Sequence, residues 1–184
     1  ITYHDVTDLR RANEEIEHLA FYDPLTGLPN RRLLLDRLGQ ALVLSQRSGK
    51  VGALLFLDLD HFKDLNDTLG HEVGDELLQE VAQRLLANVR VADTVARLGG
   101  DEFVVMLSEL STSTQEAAAL AQRIGEKILR GLSEPYLLRG HSHQGAVSIG
   151  ATLFGASAQS AIELLRQADI AMYQVKARRG NALC

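Results

Sequence analysis

Between Val51 and Leu57 the chain carries no polar side chain, and the run ends on Asp58-Leu59-Asp60. An unbroken apolar segment of this length reads as a strand buried on both faces. Such a strand needs cover from two sides, so the chain must build a sheet with layers packed on it. The strand period of two puts Asp58 and Asp60 on one face. A carboxylate at the end of a buried strand is costly unless it is paired, hydrogen-bonded or bound to a cation.

The segments around this strand alternate in type. A turn-rich loop, Asp23 to Asn30, precedes a helix from about Arg31 to Gln46, with Asn30 as its cap. After the buried strand comes a loop or short helix to Gly70, then a helix from Asp75 to Val89 with Leu77, Leu78, Val81, Leu85 and Val89 on one face. Val95 to Leu98 and Phe103 to Leu107 flank Gly99-Gly100-Asp101-Glu102, a hairpin with glycines where the backbone needs positive φ. A helix over Thr114 to Leu132, strands over Tyr136 to Arg139 and Gly145 to Phe154, and a helix over Ser160 to Arg178 complete the chain. This order predicts an α+β fold, a ferredoxin-like, antiparallel-rich central sheet flanked by helices.

Residues 1–20 read as a separate segment, and the main domain as 21–184. A short extended start, Ile1 to Val6, leads to Thr7 as an N-cap and a charged helix. In it Val6, Leu9, Asn13, Ile16 and Ala20 recur at steps of three and four. That spacing fits a short coiled-coil seam and a solvated linker helix equally.

The net charge of −5 argues against a general nucleic-acid binder. It leaves room for a phosphate-bearing small ligand, whose charge a metal ion can balance. The single cysteine, Cys184, allows no internal disulfide and fits a reducing cytoplasm. No apolar run is long enough to enter a bilayer as a span, and no signal peptide is visible. The start at Ile1 rather than Met points to a piece of a longer protein. There is no phosphate loop of the G-x-x-x-x-G-K-[ST] type and no Cys/His cluster suited to zinc; His141 and His143 have no acidic neighbour.

The acids carry the chemistry. If the hairpin lies beside the buried strand, Asp58 and Asp101 converge. Hard oxygen ligands at strand and turn ends suit Mg²⁺, which takes one or two carboxylates plus substrate phosphates. Taken alone, each acid reads as readily as a turn residue. Lys63 follows the first acid pair as a point charge for phosphate. Asn66 and Asp75 have complementary hydrogen-bonding capacity for a purine.

These residues sit inside a series of motifs. Arg97-Leu98-Gly99-Gly100-Asp101-Glu102-Phe103 carries the signature that names the GGDEF family of diguanylate cyclases. Asp23-Pro24-Leu25-Thr26-Gly27-Leu28-Pro29-Asn30-Arg31 resembles the opening of that domain. Asp58-Leu59-Asp60-His61-Phe62-Lys63-Asp64-Leu65-Asn66-Asp67 resembles its D-[IL]-D-x-F-K-x-x-N-D segment, and Gly70-His71-Glu72-Val73-Gly74-Asp75 its G-H-x-x-G-D. Val147 to Gly150 and Ala168 to Lys176 match a later strand and the last helix. The resemblance runs from Phe21 to about Asn181.

The resemblance implies condensation of two GTP into cyclic di-GMP and two pyrophosphates by an antiparallel homodimer, one GTP per subunit. It implies Mg²⁺, with Mn²⁺ as a substitute, held by Asp58 and Asp101 side chains and the Leu59 carbonyl. Glu102 is implied as general base or further metal contact. Asn66 and Asp75 would read guanine, Gly99 and Gly100 would admit the nucleotide to the backbone, and Phe62, Lys63 and Lys176 would meet the phosphates. Arg90-Val91-Ala92-Asp93 resembles the family's product-inhibition motif, with Arg123 as a second arginine. One departure stands out: the family's K-x-x-G-[RK]-N ending is here Lys176-Ala177-Arg178-Arg179-Gly180-Asn181, so Gly180 takes the usual basic position and Arg179 the usual glycine.

The Asp5-Val6-Thr7-Asp8 segment resembles the end of a PAS-type sensor, and the form of the opening motif is frequent where an EAL phosphodiesterase domain follows. The competing function is a catalytically silent module that binds GTP or cyclic di-GMP. Retention of Asp58, Gly99, Gly100, Asp101 and Glu102 favours the active enzyme. Class III nucleotidyl cyclases and polymerase palms share the two-acid logic but not the hairpin signature.

Overall fold

The computed structural model describes residues 3–157, 160–178 and 180–184. In chain order these form α1 (Tyr3–Phe21), α2 (Arg31–Ser48), β1 (Val51–Leu59), α3 (Phe62–Leu69), α4 (His71–Asn88), β2 (Thr94–Gly99) and β3 (Glu102–Ser111). They continue as α5 (Thr114–Ser133), β4 (Tyr136–Leu138), β5 (His141–His143), β6 (Val147–Phe154), α6 (Ala161–Ala177) and β7 (Ala182–Leu183).

β1 is buried along its whole length and lies in the middle of a sheet ordered β2-β3-β1-β6-β7. It runs antiparallel to β3 and β6; β7 joins β6 in parallel. The strand period divides its side chains between two cores. Ala53, Leu55, Leu57 and Leu59 meet Leu77, Leu78, Val81 and Leu85 of α4 and Ile128 and Leu132 of α5. Leu54 and Phe56 meet Leu34 and Leu38 of α2 and Leu164, Leu165, Ala168 and Met172 of α6. Asp58, next in the even-numbered series, therefore emerges on the α6 side. The fold is the expected α+β arrangement of a mostly antiparallel sheet between helices.

Local chemistry sets the helix ends. Asn30 Oδ1 accepts from Leu33 N at 3.1 Å, Ser113 accepts from Glu116 N, and Ser160 from Glu163 N. Each satisfies an amide that a helix start leaves without a partner. Gly49 ends α2 at φ 70°.

Three expectations need correction. The N-terminal helix already includes Tyr3, so the extended start fails over 3–6 and Thr7 lies within the helix rather than capping it. α4 begins at His71, not Asp75, because Gly70 supplies the entry and Gly74 is helical. His141–His143 pairs with β4 in a hairpin turned by Arg139 and Gly140, both at positive φ, and the short β7 was not anticipated. Among the described residues no helix is long and apolar enough to cross a membrane.

Candidate active site

The carboxyl end of β1 and the β2–β3 turn are joined directly. Asp58 stands opposite Glu102 on one side and Ser148 on the other. Leu59 N–H donates to the Asp101 carbonyl at 3.2 Å. The turn that brings Asp101 back uses Gly99 at φ 142° and Gly100 at φ 51°, conformations that favour glycine. The sequence-derived convergence of Asp58 and Asp101 is thus present in the backbone.

Asp58 is 8% exposed, and its carboxylate accepts a hydrogen bond from the Lys176 ammonium in the last turn of α6. Burial pushes the Asp58 carboxyl above its ordinary range, and the charges of Asp101 and Asp60 add to this; Lys176 offsets only part. Burial works against the Lys176 charge, but the bond to Asp58 and the nearby acids outweigh it and raise its pKa. Glu102 is also raised, by burial first and then by Asp58, Asp169 and Asp101. Asp169, on α6, was not singled out by the sequence.

Among the described residues no three Asp, Glu, His or Cys side chains are gathered to hold a metal on their own. The two-carboxylate set nevertheless fits a hard divalent ion that shares its ligands with phosphates. The observation behind this fit is crowding: Asp58 feels both Asp101 and Asp60, with Lys176 its one hydrogen-bonded cation among the described residues. A divalent ion would relieve that repulsion.

Asp60 has a different task. Its Oδ1 accepts from the fully buried Ser148 Oγ at 2.8 Å, and its Oδ2 accepts from Asn181 N at 2.8 Å. Gly180, at φ 68°, passes so close that a Cβ would stand 2.5 Å from Asp60 Oδ2. Asp60 therefore ties Ser148 of β6 and the segment that follows α6 to the end of β1. Arg179, which stands where the family has glycine, lies outside the described residues.

Phe62 and Lys63 open α3; Phe62 packs on the core and Lys63 is exposed. No side chain caps this helix start, where His61 stands at φ 60°. Uncapped first-turn amides suit an anion. Asn66 lies further along α3 with its Oδ1 buried and unpartnered, against Gly74 of α4. Asp75, next to Gly74, is exposed.

A family profile described as diguanylate cyclase, GGDEF domain, matches residues 20–182. The chain belongs to the GGDEF family. It is 47% identical over 178 residues to the bifunctional diguanylate cyclase/cyclic di-GMP phosphodiesterase MucR of Pseudomonas aeruginosa, covering 97% of this chain and 25% of that protein. The chain spans between 21% and 25% of the length of the first three curated relatives it matches. Among solved structures, the GGDEF domain of TpbB (YfiN) from Pseudomonas aeruginosa superposes with a TM-score of 0.82 at 38% identity, covering 88% of this chain and 92% of that one. The coiled coil and GGDEF domain of DgcB from Caulobacter crescentus, in complex with c-di-GMP, gives 0.84 at 28% identity, covering 98% and 93%.

Within this GGDEF domain, Arg97 was missed as a site residue. Its guanidinium donates to the Gly100 carbonyl at 3.1 and 2.8 Å and to Asp23 Oδ1 at 2.9 Å. Asp23 in turn accepts from Thr26 N and Oγ. The opening motif and the signature turn are therefore one hydrogen-bonded unit. The signal lies in two motifs far apart in the chain, with nothing in the spacing to join them.

Arg90 and Asp93 meet, but on each other. The Arg90 guanidinium donates to both Asp93 oxygens at 3.2 and 3.0 Å and to the Ser108 carbonyl at 3.0 Å. Asp93 Oδ2 also accepts from Arg90 N, and Oδ1 from Ser108 N. The Asp93 side chain is 1% exposed. Among the described residues Arg123, exposed on α5, makes no hydrogen bond or ion pair to either.

Proposed function

We propose that this chain is the catalytic GGDEF domain of a diguanylate cyclase, which joins two GTP into cyclic di-GMP with release of two pyrophosphates. The observation that carries this reading is the Leu59–Asp101 backbone bond, which holds two acids at the end of a buried strand where their charges repel. Asp58 and Asp101, with the Leu59 carbonyl, are the residues to hold Mg²⁺ or Mn²⁺; bound there, such an ion offsets phosphate charge and acidifies a coordinated hydroxyl.

The chain's own residues then orient and exchange protons. The 3′-hydroxyl of one GTP forms a bond to the α-phosphorus of the other as the bond to pyrophosphate breaks, and the hydroxyl proton leaves to a base. Glu102, whose carboxyl burial and the neighbouring acids raise above its ordinary range, is the candidate acceptor. Lys63, Phe62 and the first turn of α3 receive phosphates, Lys176 supplies a second cation, and Asn66 and Asp75 read guanine. Gly99 and Gly100 let the nucleotide reach the backbone. Positioning and charge stabilisation supply most of the rate effect.

Each subunit brings one GTP, so turnover needs an antiparallel homodimer. Residues 1–20 are read as the end of a PAS-type sensor and its signalling helix, ahead of the catalytic domain at 21–184. Val6, Leu9, Ile16 and Leu19 of α1 are all exposed, as a helix awaiting a second copy would leave them. Arg90 and Asp93 are read as a cyclic di-GMP inhibitory site, with Arg123 contributing; ligand entry then requires Asp93 to give up its bonds to Arg90. The domain would work in the cytoplasm, on nucleotides rather than nucleic acid. The second reading is a silent nucleotide-binding module of a larger GGDEF-EAL protein. The Lys176 contact favours it, because it occupies an Asp58 oxygen that an ion would need.

The test is incubation of concentrated chain with GTP and Mg²⁺, followed by chromatography for cyclic di-GMP, beside an Asp101→Ala control. Product that vanishes in the control supports the cyclase. No product, even with a fused dimerising coiled coil and with GTP bound by calorimetry, selects the silent module.

A further inference from the structure

Gly74 sits in the first turns of α4, where its backbone is helical and its φ is not positive. Nothing in its conformation calls for glycine, and glycine weakens a helix relative to alanine. The reason for it is lateral. A Cβ at Gly74 would overlap Asn66 Oδ1 and stand 2.9 Å from Asn66 Cγ. The missing side chain is the slot in which the Asn66 amide lies. That amide oxygen is buried and has no hydrogen-bond partner among the described residues, and a buried acceptor left unpaired is costly. The slot therefore holds a costly acceptor in one place.

We propose that Gly74 is a specificity-determining position of the nucleotide site, which by lacking a side chain seats Asn66 in its base-reading pose. This rests on the reading of Asn66 as a guanine contact. Guanine offers N–H donors on its Watson–Crick edge where adenine offers a ring nitrogen acceptor and a C–H. An orphaned carbonyl oxygen pairs with the first and is left unpaired by the second, and sites of that kind discriminate strongly. The clash from a methyl group at 74 falls on the mobile end of Asn66, not on backbone. The fold can yield to it by letting the amide move, and that movement is what damages recognition. Gly74 touches no nucleotide in this account; it acts through Asn66.

The experiment measures binding of α,β-methylene GTP, which cannot release pyrophosphate, and of ATP. It uses the intact chain with Mg²⁺ and its Gly74→Ala, Asn66→Ala and doubly substituted forms, each with a melting curve. Expected are a tenfold or greater loss of GTP-analogue affinity in Gly74→Ala, a smaller GTP-to-ATP ratio, and a melting temperature equal to or above the parent's. The double substitution should be no worse than Asn66→Ala, because the methyl group then has no amide to displace. Parental affinity and preference in Gly74→Ala overturn the proposal, as does a lowered melting temperature or an undiminished extra loss in the Asn66→Ala background. If Asn66→Ala itself binds as the parent does, the reading of Asn66 has failed and the proposal fails with it.

Discussion

Replacing Asp60 with alanine removes the acceptors of the Ser148 hydroxyl on β6 and of the Asn181 amide that follows α6. The Ser148 hydroxyl, fully buried and 2.8 Å from Asp60 Oδ1, is left without its acceptor. Stranding a buried donor costs about 1–3 kcal/mol, and a hydrogen bond to a charged group contributes about 1.5–3 kcal/mol. The exposed Asn181 amide, at 2.8 Å from Oδ2, recovers most of its loss through water. The expected destabilisation is therefore about 3 kcal/mol. For a chain of this size that lowers the melting temperature by about 6–12 °C. Asp60→Asn keeps the shape and one acceptor, and Ser148 can turn to accept from the new amide, so its cost should be about 1 kcal/mol. Thermal unfolding followed by circular dichroism reads both. If Asp60→Ala melts within about 2 °C of the parent, the claim that Asp60 stabilises the fold by holding the buried Ser148 hydroxyl of β6 is wrong.

Arg97→Ala should cost about 3 kcal/mol in denaturant unfolding, because the Arg97 side chain is 11% exposed and that of Asp23 15%, and removal leaves a shielded carboxylate unpaired. An Asp23→Asn, Arg97→Ala double substitution should recover part of this. Because burial and like charges raise the Asp58 carboxyl, its contribution to stability is greatest below the ordinary aspartate range and falls as pH rises through the raised value. Without metal or nucleotide, Asp58→Asn should flatten the decline of melting temperature with pH upward from that range; an unchanged slope contradicts the assignment. Leu9→Glu with Ile16→Glu should lower both dimer content by sedimentation and cyclase turnover at fixed concentration, and a fused coiled coil should restore turnover.

Periodicity and cap chemistry made most of the fold legible. The apolar run at Val51 named the central strand, Asn30 named the start of α2, and the paired glycines named the hairpin. The start of α4 was hidden because Gly70 and Gly74 read as loop, while in the folded chain Gly74 is helical for a packing reason outside its own segment. β5 was hidden because His141-Ser142-His143 is polar and exposed, held by pairing with β4 rather than by burial. In the site, the two acids of Asp58-Leu59-Asp60 looked equivalent by spacing. Only their neighbours separate them: Lys176 and the signature turn for Asp58, Ser148 and Asn181 for Asp60. Arg90 and Asp93 were legible as a pair, but not the Ser108 backbone that bonds to both.

The bond between Arg97 and Asp23 joins residues 74 positions apart. The β2–β3 hairpin is local and can form early, whereas closing so long a loop costs chain entropy that only a nearly complete core repays. On refolding, the hairpin should therefore form before the Arg97–Asp23 contact that joins its turn to the opening loop. In refolding followed by circular dichroism and by nucleotide binding, regained secondary structure should therefore precede regained binding.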